Sequence, residues 1–148
     1  MAQKEGTKMP KVNVNVEISR KRMSHLLCAG MEGGIGYWAR IVEYIEPPDN
    51  VNIFEGFEDD WLLGSEVFRH IHYPMCEAGG GVVFEDATGE DFPSEPRVTL
   101  DYAALLRGLQ VMSEKEPRHF AHFMEENEDA TTGDVFIQCC VFGEVIFG

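Results

Sequence analysis

Apolar and polar positions alternate strictly over VNVNVEIS (12–19), which sets Val12, Val14, Val16 and Ile18 on one face and predicts a half-buried strand. Ser19 follows as the N-cap of a helix, SRKRMSHLLCAGMEGG, in which Met23, Leu26, Leu27 and Met31 face inward and the cations face solvent. Gly30, Gly33 and Gly34 mark its end, and IGYWARIVEYIE (35–46) reads as a second strand stopped at Pro47–Pro48. Residues 47–75 hold no sustained period; their acids read as a solvated loop around a few buried aromatic anchors. GGGVVFEDA (79–87) and EPRVTL (95–100) read as two further extended pieces. DYAALLRGLQVMSEK (101–115) places Leu105, Leu106, Leu109 and Met112 on one helical face. Pro117 ends that helix or opens the next turn, and PRHFAHFMEENED forms a second short helix. TTGDVFIQCCVFGEVIFG (131–148) is apolar nearly all round and is expected to be a C-terminal helix buried in the fold or in an oligomer interface, with Thr131 or Thr132 as its cap.

The order β–α–β–loop–β–β–α–α–α predicts an α+β fold: a single domain with an antiparallel or mixed β-sheet, helices packed on one face and an apolar C-terminal helix. Residues 1–10 read as a flexible N-terminal arm and 11–148 as one ligand-binding domain, with no internal repeat and no linker to divide it. MEGGIGYW follows a helix instead of opening one, and no Gly-Lys-Ser/Thr occurs. Neither a Rossmann fingerprint nor a P-loop is therefore present, and a conventional dehydrogenase or ATPase is not expected.

Charge narrows the partners. The chain carries 12 Lys+Arg against 26 Asp+Glu, a net charge of −14, which disfavours DNA or RNA polymers held by basic surfaces. The distribution is uneven. Residues 1–22 hold six cations against Glu5 and Glu17; the remaining cations are Arg40, Arg69, Arg97, Arg107, Lys115 and Arg118. No stretch approaches the ~18 uninterrupted apolar residues of a membrane span, so no membrane partner is expected. The opening residues lack a signal-peptide core, so a reducing compartment is expected. In that setting Cys28, Cys76, Cys139 and Cys140 read as thiols, those in apolar helical patterns buried and structural.

Three groups of residues offer chemistry. His70 and His72 form an HxH on an extended segment, pointing the same way, while His119 and His122 share a helix face; with Glu125, Glu126 or Cys76 they fit a mixed N/O metal site. The spacing is permissive, and histidines without metal are the simpler reading. Cys76 lies near His72, but no nucleophile elbow or oxyanion signature accompanies the pair. Trp38 and Arg40 fall on one strand face, where a ring beside a guanidinium suits a nucleobase and its phosphate. Arg107 and Arg118 offer further phosphate contacts. The alternative makes Trp38 the largest core residue and pairs Arg40 with Glu43 or Glu32.

Four segments together resemble a family of small phage and prophage proteins: CAGMEGGIGYWAR (28–40), GGGVVFED (79–86), VTLDYAALLRGL (98–109) and DATTGDVFIQCCVFGEVIFG (129–148). The EGG-x-x-YW block (Glu32 to Trp38) and the terminal FGE-x-x-FG (Phe142 to Gly148) are the most specific. The chain resembles the Thoeris anti-defence type 1 proteins, phage "sponges". The resemblance implies binding and sequestration of cyclic ADP-ribose isomers made by TIR-domain immune enzymes, with cyclic oligonucleotides held at separate sites in some relatives. It implies a dimer-based, often hexameric, homo-oligomer with pockets between protomers, no cofactor and no catalysis, acting in the cytoplasm of the infected bacterial host. Residues 47–75 and 116–128 depart from the pattern as inserted segments, and the histidines His70, His72, His119 and His122 fall in them.

On this reading Trp38 stacks on or frames the ligand, Arg40 contacts phosphate, Arg107 or Arg118 reaches across an interface, and Gly33, Gly34 and Gly36 allow close backbone approach. Tyr37 suits the core equally. Two readings of other classes stand beside it: a metal-dependent nucleotide hydrolase, which needs the histidines to converge, and an acidic protein-binding inhibitor.

Overall fold

The computed structural model describes residues 9–93 and 95–148. Most of the expected N-terminal arm, residues 1–8, lies outside the described residues; Met9 and Pro10 are exposed. In chain order the elements are α1 (Arg20–Gly33), β1 (Ala39–Ile45), α2 (Arg69–His72), β2 (Gly81–Asp86), β3 (Arg97–Leu100), α3 (Tyr102–Lys115), α4 (Pro117–Met124) and α5 (Ala130–Phe142). Single 3₁₀ turns, Glu66–Phe68 and Tyr73–Met75, flank α2. The fold is α+β, as the element pattern predicts, in one small domain.

The sheet is antiparallel throughout, in the order β1-β2-β3, with a bulge in β1 between Ile41 and Glu43. Val82, Phe84, Val98 and Leu100 join the principal core with Leu26 and Leu27 of α1, Leu105 and Met112 of α3, and Phe136 and Ile137 of α5. Side-chain caps fix the helix starts. Ser19 accepts from the Arg22 amide, Asp101 from Ala104 and Asp129 from Thr132, so the last helix is capped by Asp129 and not by Thr131 or Thr132.

Three further expectations need correction. The strand expected at 12–19 does not join the sheet; Val12 and Val14 are 82% and 75% exposed. The reason lies at the start of α1, where Arg20 donates to the carbonyls of Ile53 and Glu55, and Arg22 to that of Phe123. These ties direct the preceding segment along the outer side of α3, away from any sheet edge. The second strand begins at Ala39, because Gly34 and Ile35 both donate to the Gly30 carbonyl and spend residues 34–38 in turning the chain. Finally, α5 stops at Phe142, where Gly143 takes a left-handed φ of 74°. It is not uniformly apolar either, since it buries Asp134 and Gln138.

The segment between β1 and β2 is irregular around anchors, as expected: Ile53, Phe57, Leu63 and Tyr73 are buried. His72 is fully enclosed, its Nε2 facing the Leu63 carbonyl and its ring meeting Phe54 and Phe57 edge-on. That carbonyl requires the proton on Nε2 and leaves Nδ1 without a partner.

Candidate functional site

Two glycines let the N-terminal and C-terminal ends of the domain touch. A Cβ at Gly30 would lie 2.6 Å from the Gly133 carbonyl oxygen, and one at Gly133 only 2.2 Å from the Gly30 nitrogen. Backbone contact between α1 and α5 follows. The turn after α1 then carries Tyr37 and Trp38 against the first half of α5.

There they meet a buried carboxylate. Trp38 Nε1 donates to Asp134 Oδ1 at 2.7 Å, Tyr37 donates its hydroxyl to Oδ2 at 2.7 Å, and Gln138 Nε2 donates to Oδ1 at 2.9 Å. Three donors satisfy its two oxygens, as a buried carboxyl group requires. Gln138 Oε1 accepts the Ile146 and Phe147 amides, each at 2.8 Å, and so fastens the chain end beyond α5. Phe147 stacks on Trp38 at 5.3 Å between centroids and 7° between planes. Burial, and then the Asp134 hydrogen bond, push the Tyr37 hydroxyl up to about 12, so it stays a donor across the ordinary pH range.

In front of this network opens a cleft of about 430 Å³, bordered by Gly34, Tyr37, Glu116, His119, Thr131 and Phe147. Its chemistry is mixed. Tyr37 and Phe147 offer aromatic surface, Glu116 offers acceptors, and the first turn of α5 brings the positive end of a 13-residue helix. His119 is positioned there through Nδ1, 3.0 Å from the Thr132 hydroxyl.

The sequence-predicted residues divide around this cleft. Gly34 lines it, though the space a Cβ would need is taken by the Ala130 carbonyl oxygen at 2.4 Å, not left for a ligand. Trp38 is fully buried behind the cleft and frames its wall through Asp134 and Phe147 instead of offering a stacking face. Arg40 lies on β1, paired with Glu85, whose carboxyl the guanidinium holds below the usual range. Arg107 donates to the Cys140 carbonyl at 2.7 Å and ties α3 to α5. Arg118 stands exposed on the first turn of α4, next to His119. Arg40 and Arg107 do not line the cleft.

The histidines do not assemble. The 69–72 segment is helical and not extended, so His70 and His72 diverge: His70 faces Glu32 at 3.2 Å, while His72 enters the core. His119 and His122 do neighbour one another, with rings 5.9 Å apart. Among the described residues no three His, Cys, Asp or Glu side chains gather as a metal site. The four cysteines are free; Cys76, Cys139 and Cys140 are buried and Cys28 partly so. Burial raises the Cys76 thiol, and its Sγ faces the His72 carbonyl instead of the ring. Cys139 is pushed up to about 12 by burial, which keeps it a thiol.

Asp134, Gln138 and Glu116 are the residues that sequence reasoning missed, while His119 enters it only as a metal ligand and Thr131 only as a helix cap. A signal existed for two of them: Asp134 and Gln138 stand four apart in an otherwise apolar helix, the spacing of a buried polar pair. Comparison with protein-family models, with curated proteins and with solved structures gives no match to this chain. No helix among the described residues is long and apolar enough to cross a membrane.

Proposed function

We propose that this chain is a phage anti-defence protein that binds and sequesters cyclic ADP-ribose-type immune signals without cleaving them, in the cytoplasm of the infected bacterial host. One observation carries the reading. The two blocks most specific to the resemblance, EGG-x-x-YW and FGE-x-x-FG, lie at opposite ends of the sequence, yet both border one cleft and share Asp134 and Gln138 as their link. A volume of about 430 Å³ falls in the ~300–1,000 Å³ range of small-ligand sites.

The lining fits a cyclic dinucleotide-like ligand. Tyr37 and Phe147 border a base, Glu116 accepts from ribose hydroxyls or an exocyclic amine, and the start of α5 with His119 faces the pyrophosphate. Arg118, next to His119 in sequence and exposed, supplies a further phosphate contact at the rim. Asp134, one of the two carboxylates that border the cleft, has both oxygens engaged and is not free to act as a base. Retention without turnover suits a rigid wall of this kind. The resemblance further proposes a dimer-based, often hexameric, homo-oligomer in which a second protomer closes the cleft. Cyclic oligonucleotides at separate sites belong to the same proposal.

The test is to incubate the protein with a cyclic ADP-ribose isomer, wash, heat-denature and chromatograph the supernatant. Intact ligand in near-stoichiometric amount is expected; an empty supernatant or a cleaved product overturns the proposal.

A second reading, an acidic inhibitor that docks on a protein, is favoured by Trp61. It is 86% exposed on the inserted segment, amid Glu58, Asp59 and Asp60. If Trp61→Ala abolishes anti-defence activity while ligand retention persists, that reading takes over.

A further inference from the structure

Residues 9–18 form no backbone hydrogen bond with the other described residues, although Lys11–Ile18 has the strictest alternation in the chain. Val12, Val14 and Val16 are 82%, 75% and 44% exposed, and Leu106 beside them on α3 is 51% exposed. Between this segment and α3 runs an open groove of about 580 Å³, walled by Val12, Val14 and Val16 on one side and by Leu106, Leu109 and Phe120 on the other. Such a groove states that something apolar belongs there. The sequence states what.

KVNVNVE (11–17) is a chemical palindrome centred on Val14. Laid antiparallel on a second copy of itself, it pairs Val14 with Val14, Val12 with Val16, Asn13 with Asn15 and Lys11 with Glu17. Every cross-strand pair is then favourable: apolar on apolar, amide on amide, cation on anion. A slip of one residue sets Val against Asn, and a slip of two leaves Lys11 opposite Asn15 or Ser19, so the charges select one register. The ends are defined as well. Pro10 has no N–H to extend the ladder, and Ser19 is already committed to capping α1.

We infer that residues 11–17 of two copies pair as a two-fold antiparallel ribbon, with the valine face of each strand closing over the Leu106–Leu109 groove. An isologous contact needs one self-complementary segment, and this is one. The inference specifies a contact of the proposed homo-oligomer and rests on that part of the reading, not on the ligand. It is a pairing in trans by necessity, since Lys11 and Glu17 of one extended strand lie roughly 20 Å apart at ~3.3 Å per residue.

Variants of the full chain with one added cysteine or a charge swap test it, with the wild type and its four largely buried cysteines as control. Directly opposed residues have Cα atoms ~4.5–5.5 Å apart, within disulfide range, whereas Val12 lies about 13 Å from its own symmetry mate. Mild oxidation should therefore link Val14→Cys into a covalent dimer and leave Val12→Cys unlinked, while Val12→Cys mixed with Val16→Cys links. By light scattering, Lys11→Glu should lower the dimer fraction at least tenfold, and the double change Lys11→Glu with Glu17→Lys should restore it. If the wild type is oligomeric but Val14→Cys stays unlinked and Lys11→Glu changes nothing, the ribbon is overturned and the oligomer stands. A monomeric wild type at working concentration overturns both.

Discussion

Residues 130–147 and residues 9–18 carry comparably strong apolar patterns and end in opposite states. The first stretch is enclosed: from Thr132 to Cys140 every residue is buried, and its polar members Asp134 and Gln138 are satisfied by Tyr37, Trp38, Ile146 and Phe147. The second lies open, with three exposed valines beside a groove and no backbone pairing to the other described residues. The difference teaches that an apolar pattern names the atoms that seek burial without naming the chain that buries them. Backbone contact at Gly30 and Gly133 supplies the enclosure in one case. In the other, a second copy is proposed to supply it.

The enclosed region should break first and hardest. Gly133→Val forces α1 and α5 apart at a contact with no room for a side chain, and should cost ~3 kcal/mol in urea unfolding. An unchanged midpoint would mean that the two helices do not pack backbone to backbone. Next comes Asp134→Leu, which leaves Trp38 Nε1 without its acceptor and the Gln138 amide with the Phe147 carbonyl alone, and should cost about 2 kcal/mol. In a Trp61→Phe background, where Trp38 is the remaining indole, its emission should shift to the red as Phe147 loosens.

How much of this was legible beforehand differs by region for physical reasons. Two helix starts were readable from local chemistry, because Ser19 and Pro117 act on their own neighbours, whereas the caps Asp101 and Asp129 were passed over. A sheet, antiparallel or mixed, followed from short apolar runs, and the pairing of β1, β2 and β3 makes it antiparallel. The cleft was not readable as such, since Asp134 meets Tyr37 and Trp38 across nearly 100 residues of chain. Trp38 and Arg40 were placed together by strand alternation, but the strand begins only at Ala39, so Trp38 belongs to the turn and enters the core. His70 and His72 diverge for a similar reason, a short helix standing where alternation predicts an extended run.

A smaller effect comes from pH at the segment between β1 and β2. Burial lowers the His72 pKa, with Arg20 and His70 adding to the lowering while the Leu63 carbonyl and Asp60 oppose it. The folded state therefore resists a proton that the unfolded chain accepts near pH ~6.5. Stability from this group is present above about pH 6.5 and lost as pH falls below it. Urea midpoints should decline from about pH 7 toward pH 5 in the wild type, and decline less in His72→Gln, which keeps a donor for Leu63. Parallel slopes in the two proteins would remove His72 as the cause.

The smallest effect belongs to the open region. Val14→Ser should leave the unfolding midpoint of dilute protein within about 0.5 kcal/mol of the wild type. It should also abolish the rise of that midpoint with protein concentration. A large loss at low concentration would show that the segment is buried within its own chain after all.

The most direct measurement is ligand retention by the wild type and by Thr131→Trp, side by side. Thr131 is an exposed residue on the first turn of α5, and an indole there fills the cleft without entering the core. Heat denaturation should release intact cyclic ADP-ribose isomer from the wild type and none from Thr131→Trp, at equal melting temperatures. Equal retention by both proteins would contradict the assignment of the ligand to this cleft.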